Sequence, residues 1–172
     1  MANPEHQWWV ELVGASPTYQ GLKTFTFGDS AELADRLAAL VVAGVKTGTC
    51  SAAVHGPDTK VGERQVCLNS AGDPVCEIET VDMQTLPFAD VTPEMAALEG
   101  EGDLSYAYWR DAHEDYYRRE RTWSPEMQVI FETFRVTRIL DETFAANAPK
   151  ALEAERAEAL ANGYTALGAS HG

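Results

Sequence analysis

The sequence predicts an α+β protein in which helices surround a small, mostly antiparallel β-sheet. Apolar residues recur at helical spacing between residues 30 and 43, whereas short apolar runs at 65–69 and 75–83 flank a turn and are typical of strands. The chain has 172 residues, of which 45% are hydrophobic and 23% charged. This is enough to bury one core without disulfide or metal support.

The first helix is predicted over residues 30–43. Asp29 stands in the N-cap position of an Asp-Ser-Ala-Glu sequence, and Gly44 follows the last apolar position. The apolar face between them consists of Leu33, Leu37, Leu40 and Val41.

Strands are predicted after the first helix. Residues 65–69 and 75–83 are joined by Ser-Ala-Gly-Asp at 70–73, which predicts a hairpin. A third long strand is predicted over 127–139. One face of the strand 75–83 mixes apolar and acidic residues, which favours a barrel or a curled sheet.

Two further helices are predicted between the hairpin and the last strand. Thr92 followed by Pro93 begins the first, and the Glu-Gly-Glu-Gly sequence at 99–102 ends it. Asp103 is the predicted cap of the second, which carries an aromatic stripe and ends in the basic cluster 118–121. The stripe consists of Tyr106, Trp109, His113 and Tyr116.

The chain divides into three predicted parts. An N-terminal extension (1–26) packs on a central domain (27–141), and an Ala/Glu-rich tail (142–172) follows, with high helix propensity over 151–161. The paired Trp8 and Trp9 are candidates to seal a homodimer or the cleft.

Charge and composition limit the classes of function. The formal net charge is −14, so any nucleic-acid site must be a local basic cleft. Three cysteines without metal or disulfide spacing predict free thiols. The sequence has neither an apolar stretch long enough for a membrane span nor a secretory signal, and this predicts a cytoplasmic protein without a membrane partner.

The segment 44–51, Gly-Val-Lys-Thr-Gly-Thr-Cys-Ser, places Lys46 on a glycine-flanked loop just after the first helix. It is not a phosphate-binding P-loop, because Lys46 precedes Gly48 and the required glycine order is absent. By spacing alone, Lys46 either complements the helix dipole or projects into a cleft.

The chain resembles the longer bacterial ASCH-domain proteins from about Trp8 to Leu140. The resemblance rests on ordered motifs: Phe-Gly-Asp-Ser at 27–30, Gly-x-Lys-x-x-Thr at 44–49, Pro-Val-Cys-x-Ile-Glu-Thr at 74–80, Pro-Phe at 87–88, Glu-Gly-Glu-Gly-Asp at 99–103, Tyr-Trp-Arg at 108–110 and His113. It implies a PUA-like β-barrel flanked by helices. It also implies a link to RNA, since family members include binding modules, ribonucleases and amidohydrolases that deacetylate N4-acetylcytidine.

The resemblance also implies the catalytic residues. Lys46 and Thr49 fall on the family's Gly-x-Lys-x-x-Thr motif, and the amidohydrolase glutamate falls on Glu99, with Glu101 as the alternate. Ser51 occupies the position of an arginine found in many short members, and is a candidate for substrate binding.

Two chemistries remain open, and they require opposite charge states of Lys46. In single-stranded RNA cleavage, the favoured function, a charged Lys46 stabilises the transition state, and Glu99 activates the attacking hydroxyl or helps to bind a divalent metal ion. In the alternative, amide hydrolysis, Thr49 is the nucleophile, a neutral Lys46 the base and Glu99 the proton shuttle. A module that binds RNA or a modified nucleotide without chemistry is the third hypothesis.

Further candidates for substrate binding lie near the aromatic helix. Tyr106 and Ser124 could bond a phosphate or carbonyl. The arginines are interleaved with aromatic rings, a combination that single-stranded RNA favours, although such arginines also pair with neighbouring acids. They are Arg110, Arg118, Arg119 and Arg121.

Overall fold

The computed structural model describes residues 18–164 as six strands and four α-helices. Their bounds in chain order are β1 Thr18–Tyr19, β2 Leu22–Phe25, α1 Ala31–Val42, β3 Gly48–Ala52, β4 Arg64–Leu68, β5 Pro74–Pro87, α2 Pro93–Leu98, α3 Tyr106–Glu120, β6 Gln128–Ile139 and α4 Glu142–Ala161. The predicted α+β class is confirmed.

The six strands form one sheet in the order β1-β2-β4-β5-β6-β3. Only β2 and β4 are parallel, and every other neighbouring pair is antiparallel. The sheet is open, so the predicted closed barrel is wrong. Closure requires the two edge strands to pair, but β1 has only two residues and pairs with β2, and β3 pairs with β6.

Helix α1 begins one residue later and ends one residue earlier than predicted. Its N-cap is Ser30, whose hydroxyl accepts a hydrogen bond from the Leu33 amide at 3.1 Å, and not Asp29. Asp29 instead pairs with Arg119 at 2.8 Å. Gly44 ends the helix as predicted, with a φ of 81° that favours glycine.

The hairpin of β4 and β5 forms as predicted. Its turn is held by Asn69, whose side-chain oxygen accepts hydrogen bonds from the amides of Ala71 at 3.0 Å and Asp73 at 2.9 Å. Strand β5 continues to Pro87, beyond the predicted 75–83, because β6 pairs with it along almost its whole length.

Helix α2 has the predicted cap, since the Thr92 hydroxyl accepts from the Met95 amide and proline follows at N1. The cap of α3 is Ser105 and not Asp103, which instead accepts a hydrogen bond from the Ser105 amide at 2.9 Å. The shift by two residues leaves the aromatic face in place, with Trp109 buried in it.

Two apolar clusters form the core. In one, α1 packs on the sheet around Leu40, Ile78 and Phe134. In the other, α2 and α3 pack around Phe88 and Trp109.

The tail forms a helix, α4, over 142–161, longer than the predicted 151–161, and packs on α1. Arg36 on α1 pairs with Glu155 at 3.4 Å and also with Glu158. The predicted division at residues 26 and 141 stays a prediction, and Trp8 and Trp9 lie outside the described residues. Over 18–164, none of the helices combines the length and hydrophobicity that a membrane crossing requires.

Candidate active site

A cleft of about 910 Å³ lies where α1, β3, α3 and the loop after α2 meet. Its lining includes the three residues predicted to be catalytic, Lys46, Thr49 and Glu99. Glu101 and His113 line it too.

Lys46 is buried, with 1% of its surface exposed. Its ammonium group donates to Glu101 Oε2 at 2.9 Å and to Glu99 Oε1 at 3.2 Å. Burial alone would lower the pKa of Lys46, but the carboxylates of Glu101 and Glu99 outweigh it and raise that pKa above its ordinary value. The side chain is therefore a paired cation.

The position of Lys46 follows from how α1 ends. After Gly44, the amides of Val45 and Lys46 both donate to the Leu40 carbonyl at 3.1 Å, which turns the chain inward. The Thr47 amide then donates to the Leu98 carbonyl at 2.8 Å. This bond joins the segment before β3 to the end of α2, and so to the loop that carries both glutamates.

Glu99 is equally buried, with 1% exposure, and is surrounded by donors. Besides Lys46, it accepts from the indole nitrogen of Trp109, and the imidazole Nε2 of His113 lies 3.2 Å from it. Burial opposes ionisation, but His113 and Lys46 outweigh that effect and lower the pKa of Glu99 to about 2. Glu99 is therefore a carboxylate at neutral pH and a poor proton donor.

Glu101 differs from Glu99 in its surroundings. Its side chain is 13% exposed, and Lys46 is its one ion-pair partner among residues 18–164. Burial raises the pKa of Glu101 above its ordinary value, although Lys46 opposes the shift. Of the two glutamates, Glu101 is thus the better placed to exchange a proton with a ligand.

Helix α4 holds the loop that carries these glutamates. Glu155 accepts from the Gly102 amide at 2.8 Å, and Arg156 donates to the carbonyls of Gly100, at 3.0 Å, and Gly102. Gly100 has a φ of 71°, and a Cβ there would lie 2.5 Å from the Val45 carbonyl oxygen. Only glycine fits this close approach.

Within the described residues, Glu99, Glu101 and His113 form the group that could hold a metal ion, since their ligand atoms lie within 4.8 Å of one another. The Lys46 ammonium binds both carboxylates, so it takes the place that a metal cation would occupy. His113 Nδ1 lies 2.8 Å from the Trp109 carbonyl oxygen, and Glu99 raises the pKa of His113 against the effect of burial. The arrangement therefore fits an ion-pair network better than a divalent metal.

Thr49 lies on β3, directly opposite Glu132 on β6. Both side chains line the cleft. Glu132 is a cleft residue that was not predicted from the sequence. The available signal is its place as an acid within the apolar run Val-Ile-Phe-Glu-Thr-Phe at 129–134. Burial raises the pKa of Glu132 to about 7.

The sequence model of the ASCH domain matches residues 23–138, which is more than half of the chain. The protein belongs to the ASCH-domain family.

Two solved structures have the same fold. The ASCH domain from Lactobacillus crispatus JV V101 is 28% identical, with a TM-score of 0.64, and the match covers 79% of this chain and 96% of that one. A protein from Enterococcus faecalis V583 is 24% identical, with a TM-score of 0.61, and the match covers 80% of this chain and 93% of that one. No curated protein matches the chain.

The predicted substrate-binding residues of this ASCH domain are not gathered in one place. Ser51 and Arg119 line the cleft. Five others do not belong to its lining: Tyr106, Arg110, Arg118, Arg121 and Ser124. Tyr106 instead stacks on Trp109, with ring centroids 5.8 Å apart, and the Ser124 carbonyl accepts from the Met127 amide in a turn.

The arginines of α3 mostly pair with neighbouring acids. Arg118 contacts Glu114 at 2.9 Å, and Arg110 lies 3.5 Å from Asp111. Arg121 has a φ of 66° and ends the helix. In this ASCH domain the basic cluster is therefore a largely neutralised helix face, and its predicted role in RNA binding stays a prediction.

Proposed function

We propose that this ASCH domain hydrolyses the amide bond of a small, uncharged acylated nucleoside, for which N4-acetylcytidine is the probe. The observation that carries the proposal is the charge of the cleft. Ten acidic side chains line it, against three Lys and Arg side chains. The acids are Asp29, Glu32, Asp58, Glu99, Glu101, Asp115, Glu120, Glu132, Glu155 and Glu158.

The three Lys and Arg side chains of the cleft are all paired within residues 18–164. Lys46 binds Glu99 and Glu101, Arg36 binds Glu155 and Glu158, and Arg119 binds Asp29. A polyanion would have to enter an acidic cleft and displace these pairs, which is electrostatically unfavourable. This favours the amide reaction over cleavage of single-stranded RNA.

In the proposed reaction, the role of each residue follows from its burial and its partners. Thr49 supplies the nucleophilic hydroxyl. Glu101, at the edge of the buried network, passes a proton to the leaving amine. Lys46 remains charged and holds both carboxylates in place, which differs from its predicted role as the base.

The test is release of acetate and cytidine from N4-acetylcytidine by the purified full chain. We expect Thr49→Val to lose activity, because it removes the hydroxyl while keeping the shape of the side chain. The matched control is Thr85→Val, at an exposed threonine of β5. Equal rates for Thr49→Val and wild type would contradict the proposal.

Two further assays separate the other functions. Labelled single-stranded RNA, with and without EDTA, tests nuclease activity against a Lys46→Ala control. Equilibrium binding of the same nucleoside without turnover would support a binding module. Either result, combined with no acetate release, would overturn the amidohydrolase proposal.

A further inference from the structure

Glu132 is the carboxylate closest to Thr49 in the sheet register. Strands β3 and β6 are antiparallel, and Thr49 and Glu132 are directly opposed. Side chains at such positions lie on the same face, with Cβ atoms about 4.5–5.5 Å apart. The Glu132 carboxyl can therefore reach the Thr49 hydroxyl directly or through one water.

The face that carries this pair opens into the cleft. Ser51 and Ile130 are the next opposed pair on that face, and Met83 on β5 is the other neighbour of Glu132. All five side chains line the cleft. A ligand in the cleft can thus meet Thr49 and Glu132 together.

The contacts of Glu132 do not explain why an acid stands at this position. Within residues 18–164, no hydrogen bond or ion pair engages its carboxyl, in contrast to Glu99, which has three donors. It is half-buried in a strand whose other inward residues, Ile130 and Phe134, are apolar. Asp103 Oδ2 is the buried side-chain atom without a partner among residues 18–164, so the Glu132 oxygens are open to the cleft. A half-buried acid that makes no bond within the protein is available to a ligand and is a candidate for function.

We propose that Glu132 is the general base that removes the proton from the Thr49 hydroxyl. The inference rests on the proposed function, and it assigns the proton transfer to this pair instead of to Lys46. Lys46 is already a cation bound by two carboxylates, so it has no lone pair available for the task.

The acyl group passes first to Thr49 and then to water. The Glu132 carboxylate takes the proton of Thr49 Oγ1 as this oxygen bonds to the acyl carbon. The C–N bond then breaks and its electron pair stays on nitrogen. The amine takes, by way of Glu101, the proton that Glu132 removed, so Glu132 is again a carboxylate. Water next attacks the Thr49 ester, gives a proton through Glu132 to Oγ1, and releases the carboxylic acid. The sum is amide plus water to acid plus amine.

Two charged neighbours, Asp58 and Lys46, affect the charge state of Glu132. Asp58, in the segment after β3, opposes its ionisation, whereas Lys46, before β3, favours it. Met83, on the β5 side, carries no charge. Burial and Asp58 together hold its pKa at about 7, in the range where a carboxylate can both take and return a proton.

The experiment uses para-nitrophenyl acetate, an activated ester, as well as N4-acetylcytidine. Mass spectrometry of the full chain and its peptides measures acetylation of Thr49. We expect Glu132→Gln to acetylate at least about 100-fold more slowly than wild type, as is typical for loss of a general base. Glu126→Gln, at an exposed acid just before β6, should match wild type.

The pH dependence gives a second readout. We expect the acetylation rate of wild type to rise with pH around 7, and this limb to be absent in Glu132→Gln. Glu132→Asp should restore part of the rate with a displaced limb, because it keeps the carboxyl on a shorter side chain.

The outcomes distinguish the two proposals. Acetylation of Thr49 that depends on Glu132, without turnover of N4-acetylcytidine, would support the base and overturn the proposed substrate. Turnover of N4-acetylcytidine with a Glu132→Gln rate equal to wild type would overturn the base and keep the proposed function. Failure of wild type to acetylate Thr49 would overturn the base as well.

Discussion

At the scale of single residues, the buried network around Lys46 governs both stability and the chemistry of the cleft. Two cations, Lys46 and His113, face two carboxylates, Glu99 and Glu101. Their charges cancel when all four are ionised, which permits burial at the cost of desolvating each group. Removing one member leaves an unbalanced charge at a site that is largely shielded from water.

Replacing Lys46 tests this balance. We expect Lys46→Met to lower the free energy of unfolding by about 3–5 kcal/mol, the cost typical of leaving a buried charge without its partner. Urea denaturation measures it. Lys60→Met, at an exposed lysine, should change stability by less than about 0.5 kcal/mol. Similar stabilities for the two variants would contradict the assigned burial of the network.

Acid titration tests Glu99. Its pKa is about 2 in the folded protein and 4.5 when unperturbed, so its contribution to stability is complete above pH 4.5 and is lost as pH falls toward 2. We expect Glu99→Gln to be destabilised relative to wild type at pH 6, and the difference to shrink below pH 4.5. Thermal unfolding across pH measures this, with the exposed Glu153→Gln as control. A difference that does not change with pH would be inconsistent with a lowered pKa.

At the scale of elements, α4 and the edge strand β3 determine how the cleft is built. Helix α4 packs Phe144 and Leu152 against the core, and ion pairs with α1 and hydrogen bonds to the loop 99–102 add to this docking. The tail therefore supports the site. Strand β3 lies at the sheet edge, which brings Thr49 to the cleft.

Removing the contact of α4 with the loop should loosen the site. We expect Glu155→Ala to destabilise the protein by about 2 kcal/mol, because the Gly102 amide and Arg36 lose a buried charged acceptor. Amide exchange at residues 99–102 should become faster than in wild type. Glu153→Ala, on the exposed side of the same helix, should leave both unchanged. Unaltered exchange in Glu155→Ala would indicate that α4 does not hold the loop.

At the scale of the whole molecule, net charge affects which ligands this ASCH domain favours. The net charge of −14 agrees in sign with the acidic cleft. Counterion release from RNA therefore offers little binding energy. A small, uncharged ligand has no phosphate groups, so the negative charge of the protein does not oppose its binding.

Competition with RNA tests this conclusion. We expect single-stranded polyuridine, added in large excess at low salt, to leave acetate release from N4-acetylcytidine unchanged. Unmodified cytidine, as the reaction product, should compete at high concentration. Inhibition by polyuridine that weakens steeply with salt would instead indicate a phosphate-binding surface at the cleft.

Short stretches of the sequence are sufficient to predict the local elements and the motifs that point to the family. The first helix, the hairpin, the Thr92–Pro93 helix start and the Gly-x-Lys-x-x-Thr motif depend on spacing, caps and turns within a few residues. Such short-range signals are complete in the chain itself. The predicted caps Asp29 and Asp103 are wrong, because Ser30 and Ser105, two or fewer residues away, compete with them for the same amides.

The sheet topology and the contacts of the site depend on long-range packing. The pairing of Lys46 with both glutamates and the opposition of Thr49 and Glu132 join residues more than 50 positions apart. The open sheet likewise depends on pairs between strands that are distant in the chain, such as β3 with β6. Strand order and register are set by packing of the whole core, and the charge state of a side chain by the groups that packing brings to it. No short segment of the sequence determines the strand register or the charge state of a buried side chain.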